Sequence, residues 1–325
     1  MAADAPIRRV PPSPALSRRR FLGLAGSALL ASVAWRRALA AVTPEAVVTE
    51  PFAGIHPLAE GVWAIVSTPL ETHDFTTVCN GGIVAGSDRV LVIEAFGSPE
   101  GAAWAAGQAQ RLAGRRPTDV LVTHFHGDHT GGLAGFANEA GAPAGLATEE
   151  TVRLTLESGA EGERLRLLEG ATRLDAAEPT RLDLGGRQVV LTPRVGHTPS
   201  DVTVAVDGTP IVFCGDLVWN EFFPNYRDTL PSPFAASIRD LLAGSPTLWV
   251  PGHGPLADRA AVERLLAVVD ALADHAVDAH RRGLDAAAAA ESFHLPQVAA
   301  DWTLFSPSYF EVAIGKVYAE LDAAG

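Results

Sequence analysis

The run Thr123-His124-Phe125-His126-Gly127-Asp128-His129-Thr130-Gly131-Gly132 places three imidazoles and a carboxylate within six residues. It follows the apolar stretch Val120-Leu121-Val122. In extended backbone, side chains repeat every second residue, so His124, His126 and Asp128 are predicted to point the same way, with His129 at the turn. Imidazole and carboxylate together suit a borderline cation such as zinc, whereas a structural thiolate site would need cysteines at ligand spacing.

Three more apolar strands end on such a residue beside glycine. His197 lies in Gly196-His197-Thr198-Pro199. Asp216 lies in Cys214-Gly215-Asp216 after Ile211-Val212-Phe213, and His253 in Pro251-Gly252-His253-Gly254 after Leu248-Trp249-Val250. A single Gly-His or Gly-Asp reads as a turn. Four loops that collect five of the ten histidines read as one site. His56, His275, His280 and His294 lack such surroundings and read as surface or helix residues.

Together the motifs resemble those of the metallo-β-lactamase superfamily over most of residues 55–260. The resemblance implies an α+β fold, a four-layer αββα sandwich with the site at one edge of two sheets. It implies two zinc ions, with iron or manganese as alternatives. His124, His126 and His197 would hold one ion, Asp128, His129 and His253 the other, and Asp216 would bridge them. The implied reaction is attack of a metal-bridging hydroxide on the carbonyl of an ester, lactone, thioester or amide, with Asp128 also orienting the nucleophile. A bridging Asp at 216 is closer to the glyoxalase II and lactonase branches than to β-lactamases proper. Other readings of the same ligands are an iron-dependent oxidoreductase or dioxygenase, and a non-catalytic metal-binding partner of a periplasmic redox system. Oxyanion donors could come from His73 or Asp74, or from Trp219, Asn225, Tyr226 or Arg227; each also reads as an ordinary loop or core residue.

The elements that must carry these loops follow from pattern. Strands are predicted at Gly61–Val66, Gly82–Ala85, Arg89–Ala95, Val120–Thr123, Arg181–Leu184, Gln188–Thr192, Val202–Val206, Ile211–Cys214 and Thr247–Val250. A polar loop, Thr68–Thr77, separates the first two. Helices are predicted from Ser98 as N-cap to about Leu112, over Leu133–Ala140, over Thr148–Glu169 with breaks at Gly159 and Gly162, and from a Ser232-Pro233 cap. Further helices follow over Ala260–Arg282, Ala286–Ala290 and beyond Pro307.

Composition bounds the rest. The chain has 325 residues, 47% hydrophobic, enough for a large core. Net charge is −13; residues 1–40 hold seven Arg and one Asp, leaving 18 basic and 37 acidic side chains, a balance of −19. Such a surface repels phosphate backbones, so nucleic acid is excluded as partner or substrate and a small molecule is expected. Cys79 and Cys214 are too few for a disulfide scaffold; one bridge between them stays open. Ser17-Arg18-Arg19-Arg20-Phe21-Leu22, an apolar run to Trp35 and Ala38-Leu39-Ala40 read as a signal peptide whose arginines resemble a twin-arginine export signal. The run is shorter than the about 20 residues that span a bilayer. The expected organisation is a signal over 1–40 and one domain over 41–325, periplasmic or secreted, with no membrane span after signal removal.

Overall fold

The computed structural model describes residues 43–67, 74–139, 141–159, 161–306 and 308–324. Thr43–Gly325 is one compact unit, and Met1–Val42, with the predicted signal, lies outside the described residues.

In chain order the elements are β1 (Val48–Thr49), β2 (Ala53–Ala59), β3 (Val62–Ser67), β4 (Gly81–Ala85), β5 (Val90–Ile93), α1 (Pro99–Ala113), β6 (Asp119–Leu121), α2 (Gly127–Thr130), β7 (Ala144–Thr148), α3 (Glu149–Glu157), α4 (Gly162–Glu169), β8 (Thr172–Leu174), β9 (Thr180–Asp183), β10 (Gln188–Arg194), β11 (Asp201–Val206), β12 (Ile211–Phe213), α5 (Pro231–Ala243), β13 (Leu248–Val250), α6 (Arg259–Arg281), α7 (Ala286–Ser292) and α8 (Tyr309–Ala324). One sheet runs β1 to β8 in sequence order; the other runs β13-β12-β11-β10-β9.

Side-chain alternation sorts these strands into layers. In β5, Leu91 and Ile93 join a core shared with Val204, Ile211 and Phe213 of the other sheet. Val90 and Val92 face the opposite way, onto Ala102, Ala105, Ala106 and Ala109 of α1. Val212 of β12 faces the helical layer that holds Phe234, Leu265 and Ile314. Helix, sheet, sheet and helix follow one another, as the sandwich expectation requires.

Register sets up the site. Ile93, Leu121 and Leu146 are parallel partners in one sheet, and Phe213 pairs with Val250 in the other. Three residues beyond Phe213 comes Asp216, and three beyond Val250 comes His253, so both leave the same edge. Within the first sheet, Glu94 and Val122 likewise follow directly on paired residues.

Several local expectations change. The 120–123 strand ends at Leu121, and residues 127–130 coil into a helical turn. The helix expected over Leu133–Ala140 is a single 3-10 turn, Leu133–Phe136; Ala140 is outside the described residues. The turn is pressed on α1 so closely that a Cβ at Gly135 would overlap the Pro99 carbonyl. Thr148 ends β7 and caps α3, its hydroxyl accepting from the Thr151 amide. α5 starts at Pro231, which fits the first helical position with Leu230 as N-cap, rather than at a Ser232 cap; the Ser232 amide, free in the first turn, donates to Glu320. Strands β1, β2, β7 and β8 go beyond the predicted set; β2 contains Pro57 at a register irregularity, and β7 is mostly Ala and Gly.

Candidate metal centre

Beyond β6 the backbone bends over Thr123–Phe125; His126, itself extended, then opens α2, its carbonyl accepting from the amides of His129 and Thr130. That helical turn swings Asp128 away from His124 and His126, so the expected common direction of the three does not hold. His197 sits in the turn between β10 and β11, which the Asp201 carboxylate braces by accepting from the Thr198 amide and hydroxyl. Asp216 lies in a 3-10 turn, Gly215–Leu217, and its carbonyl accepts from the Trp219 indole. Asn80, from the first sheet, clamps the His253 loop by donating to the carbonyls of Pro251 and Gly254.

All seven predicted residues converge, in two groups. His124, His126, His197 and Asp216 form one; Asp128, His129 and His253 form the other, with donor atoms within 4.8 Å of one another in each. His126 Nδ1 is 3.1 Å from both His124 Nε2 and His197 Nε2. His253 Nε2 is 3.1 Å and His129 Nε2 3.5 Å from Asp128 Oδ2. Asp216 divides itself between the groups. Its Oδ2 is 3.2 Å from His197 Nε2 and 3.9 Å from His124 Nε2, while Oδ1 is 3.1 Å from His129 Nε2 and 3.5 Å from His253 Nε2.

Charge follows from burial and neighbours. Burial holds His124 well below the usual imidazole value and His197 at about 3, so both are neutral lone-pair donors. For His253, burial works downward but Asp216 and Asp128 outweigh it, lifting the ring to about 9. His129 is raised likewise, against burial, by the carboxylates of Glu94, Asp216 and Asp128. Asp216, despite burial, is held well below the usual carboxylate range by His253 and His129.

The residues fit a pair of cations. Three imidazole nitrogens meet at 3.1 Å in the first group, where one proton can satisfy only one pair. Asp216 Oδ1 and His129 Nε2 are buried and close, yet neither has a hydrogen-bond partner. Buried polar atoms left so are costly unless something ligates them.

Sequence reasoning missed the support around this cage. Glu94 is 1% exposed, with φ +76°, and its Oε1 accepts from the Thr123 hydroxyl at 2.5 Å and lies 3.1 Å from His129 Nδ1. Asp228 Oδ2 lies 2.9 Å from His126 Nε2. Neither carries a motif; a carboxylate at the end of a strand beside the His-rich one was the available signal for Glu94.

A pocket of about 450 Å³ opens in front of the cage. Trp219, Asn225 and Arg227 line it, together with Phe75, Phe305 and Tyr309, which sequence reasoning did not single out. Trp219 also stacks on His253, centroids 4.3 Å apart. Tyr226 is instead buried among Phe223 and Phe234, away from the pocket. Asp74 accepts from the Thr76 amide in a local turn, and His73 lies outside the described residues. His56, His275 and His280 contact Pro44, Ala289 and Asp322 and join neither group. Cys79 and Cys214 are both buried free thiols.

The sequence pattern of the metallo-β-lactamase superfamily matches residues 74–265. Hydroxyacylglutathione hydrolase of Acidiphilium cryptum is 33% identical over 162 residues, 49% of this chain and 59% of that protein. The match thus spans less than two thirds of that relative. Metallo-β-lactamase type 2 of Bacillus cereus is 28% identical over 212 residues, 63% of this chain and 78% of its own. The crystal structure of a metallo-β-lactamase from Erythrobacter litoralis superposes with a TM-score of 0.56 at 22% identity, covering 69% of this chain and 98% of that one, which is a likeness of fold. With its two-sheet sandwich and the His/Asp cage at the sheet edge, the chain belongs to the metallo-β-lactamase superfamily.

Proposed function

We propose that this protein is a dinuclear zinc hydrolase, exported after folding, that cleaves an ester, lactone, thioester or amide bond in a small molecule. The observation that carries the reading is Asp216, whose two oxygens face two separate ligand groups. His124, His126 and His197 would hold one ion, and Asp128, His129 and His253 the other. A bound cation pair supplies a nucleophile at neutral pH and a Lewis acid for the carbonyl.

The chain's own residues do the rest. Neutral His124 and His197 need lose no proton before ligation. Phe75, Trp219, Phe305 and Tyr309 give the pocket an apolar wall that favours an uncharged acyl or ring portion of the substrate. Asn225 and Arg227 supply donors for a polar end. A hydrolase of hydroxyacylglutathione and a β-lactamase among the relatives support carbonyl chemistry.

Export is read from Arg18-Arg19 and the apolar run behind them. No described helix is long and apolar enough to cross a membrane.

The test is metal analysis of protein purified without added metal, followed by a panel of ester, lactone, thioester and β-lactam substrates, with His126→Ala as blank. Two zinc ions per chain and turnover of one class are expected. Mostly iron with visible absorbance, or two zinc ions with no turnover, would overturn the hydrolase reading. Cell fractionation of wild type and Arg18→Lys/Arg19→Lys tests export separately: only the wild type should leave the cytoplasm.

A further inference from the structure

His126 differs from the other members of its group. His124, His197 and Asp216 are sealed in, with at most 3% of the side chain exposed, whereas His126 keeps 14%. Its Nδ1 faces His124 and His197, and its Nε2 points outward to Asp228 Oδ2 at 2.9 Å. A neutral imidazole that offers Nδ1 to a cation carries its proton on Nε2, and there a carboxylate is the acceptor.

The loop that delivers Asp228 is itself tied to the site. The Leu230 amide donates to the Gly196 carbonyl, and the Thr229 hydroxyl to the carbonyl of His197. Asn225 and Arg227, on the pocket wall, belong to the same loop. Lys316 of α8, the chain's only lysine, adds positive charge near Asp228.

We infer that Asp228 is a positioning residue: it holds His126 in the tautomer and orientation that present Nδ1 to a cation, and joins that ligand to the loop that forms the pocket wall. The inference rests on the metal-centre reading above. A carboxylate behind a ligating imidazole fixes the ring and raises its basicity, and loss of such a partner costs on the order of 10–100-fold in metal affinity.

Zinc affinity by chelator competition, and the visible spectrum of the cobalt-substituted protein, are measured for wild type, Asp228→Ala and Asp228→Asn. Asp228→Ala should bind the ion held by His124, His126 and His197 about 10–100-fold less tightly and show displaced cobalt bands. Asp228→Asn, whose amide oxygen still accepts from Nε2–H, should recover part of both. Asp228 is one-third exposed, so metal-free melting temperatures should stay close to wild type; were the alanine variant unstable, the asparagine variant would carry the comparison. Wild-type zinc affinity with unchanged cobalt bands in both variants would overturn the assignment. Failure of wild type itself to bind zinc would overturn the metal-centre reading first, and this inference with it.

Discussion

Gly252 lies against the carboxylate of Asp216: a Cβ at 252 would overlap Oδ1 and crowd the backbone of Gly215. The Gly252 amide meanwhile donates to the Gly215 carbonyl at 2.7 Å, so the two loops cannot drift apart to make room. Gly252→Ala should therefore displace the carboxylate shared by both groups. Overpacking of this kind costs about 1–3 kcal/mol. The expected outcome is loss of stability in urea, together with fewer than two bound metal ions by elemental analysis. Full metal content in this variant would contradict the central place given to Asp216.

Glu94 supports His129 from behind, and its positive φ stores backbone strain. Glu94→Gln keeps the shape and removes the charge. Metal affinity should fall by on the order of 10–100-fold, as for other carboxylates behind ligating imidazoles. Glu94→Gly should relieve the backbone but lose the carboxylate, so its metal affinity should fall at least as far. Titration against a chelator distinguishes these outcomes from wild-type behaviour.

Proton and metal compete at His253. In the metal-free fold its pKa is about 9, against ~6.5 for an unfolded imidazole. The folded state therefore holds the proton more tightly. The stability this contributes is complete below ~6.5 and is lost as pH rises through about 9. A cation needs the same nitrogen unprotonated, so binding should release a proton and tighten across that window. Calorimetry in buffers of different ionisation enthalpy should show the release; affinity that does not change between pH 6.5 and 8.5 would rule it out.

Burial pushes the Cys79 thiol up to about 12 and raises Cys214 as well. Both should resist thiol reagents at pH 8 in the native protein, and both should react once it is unfolded. Because unfolded thiols ionise from ~8.5, the unfolded state binds fewer protons above that pH, and stability should decline there. Thiol counts before and after denaturant, with melts across pH 8–11, check both halves of the expectation.

The ligands were legible because each sits where a short apolar strand meets glycine, a local pattern. Ser98 and Pro99 at the start of α1 were legible for the same reason. Strands such as β7, made of Ala-Gly-Leu-Ala-Thr, were not, since only burial between neighbours makes them strands. Asp228 and Glu94 escaped because their roles depend on what lies across space from them. The predicted common direction of His124, His126 and Asp128 failed because α2 begins between the second and the third.

The cage draws its side chains from both sheets, with His124, His126, Asp128 and His129 following β6 and His197, Asp216 and His253 following β10, β12 and β13. Phe305 and Tyr309, which close the pocket, come instead from the last sixth of the chain, at the entry to α8. The far wall of the pocket is thus encoded apart from the ligands, so substitutions at Phe305 and Tyr309 reshape the pocket without touching a residue of the cage.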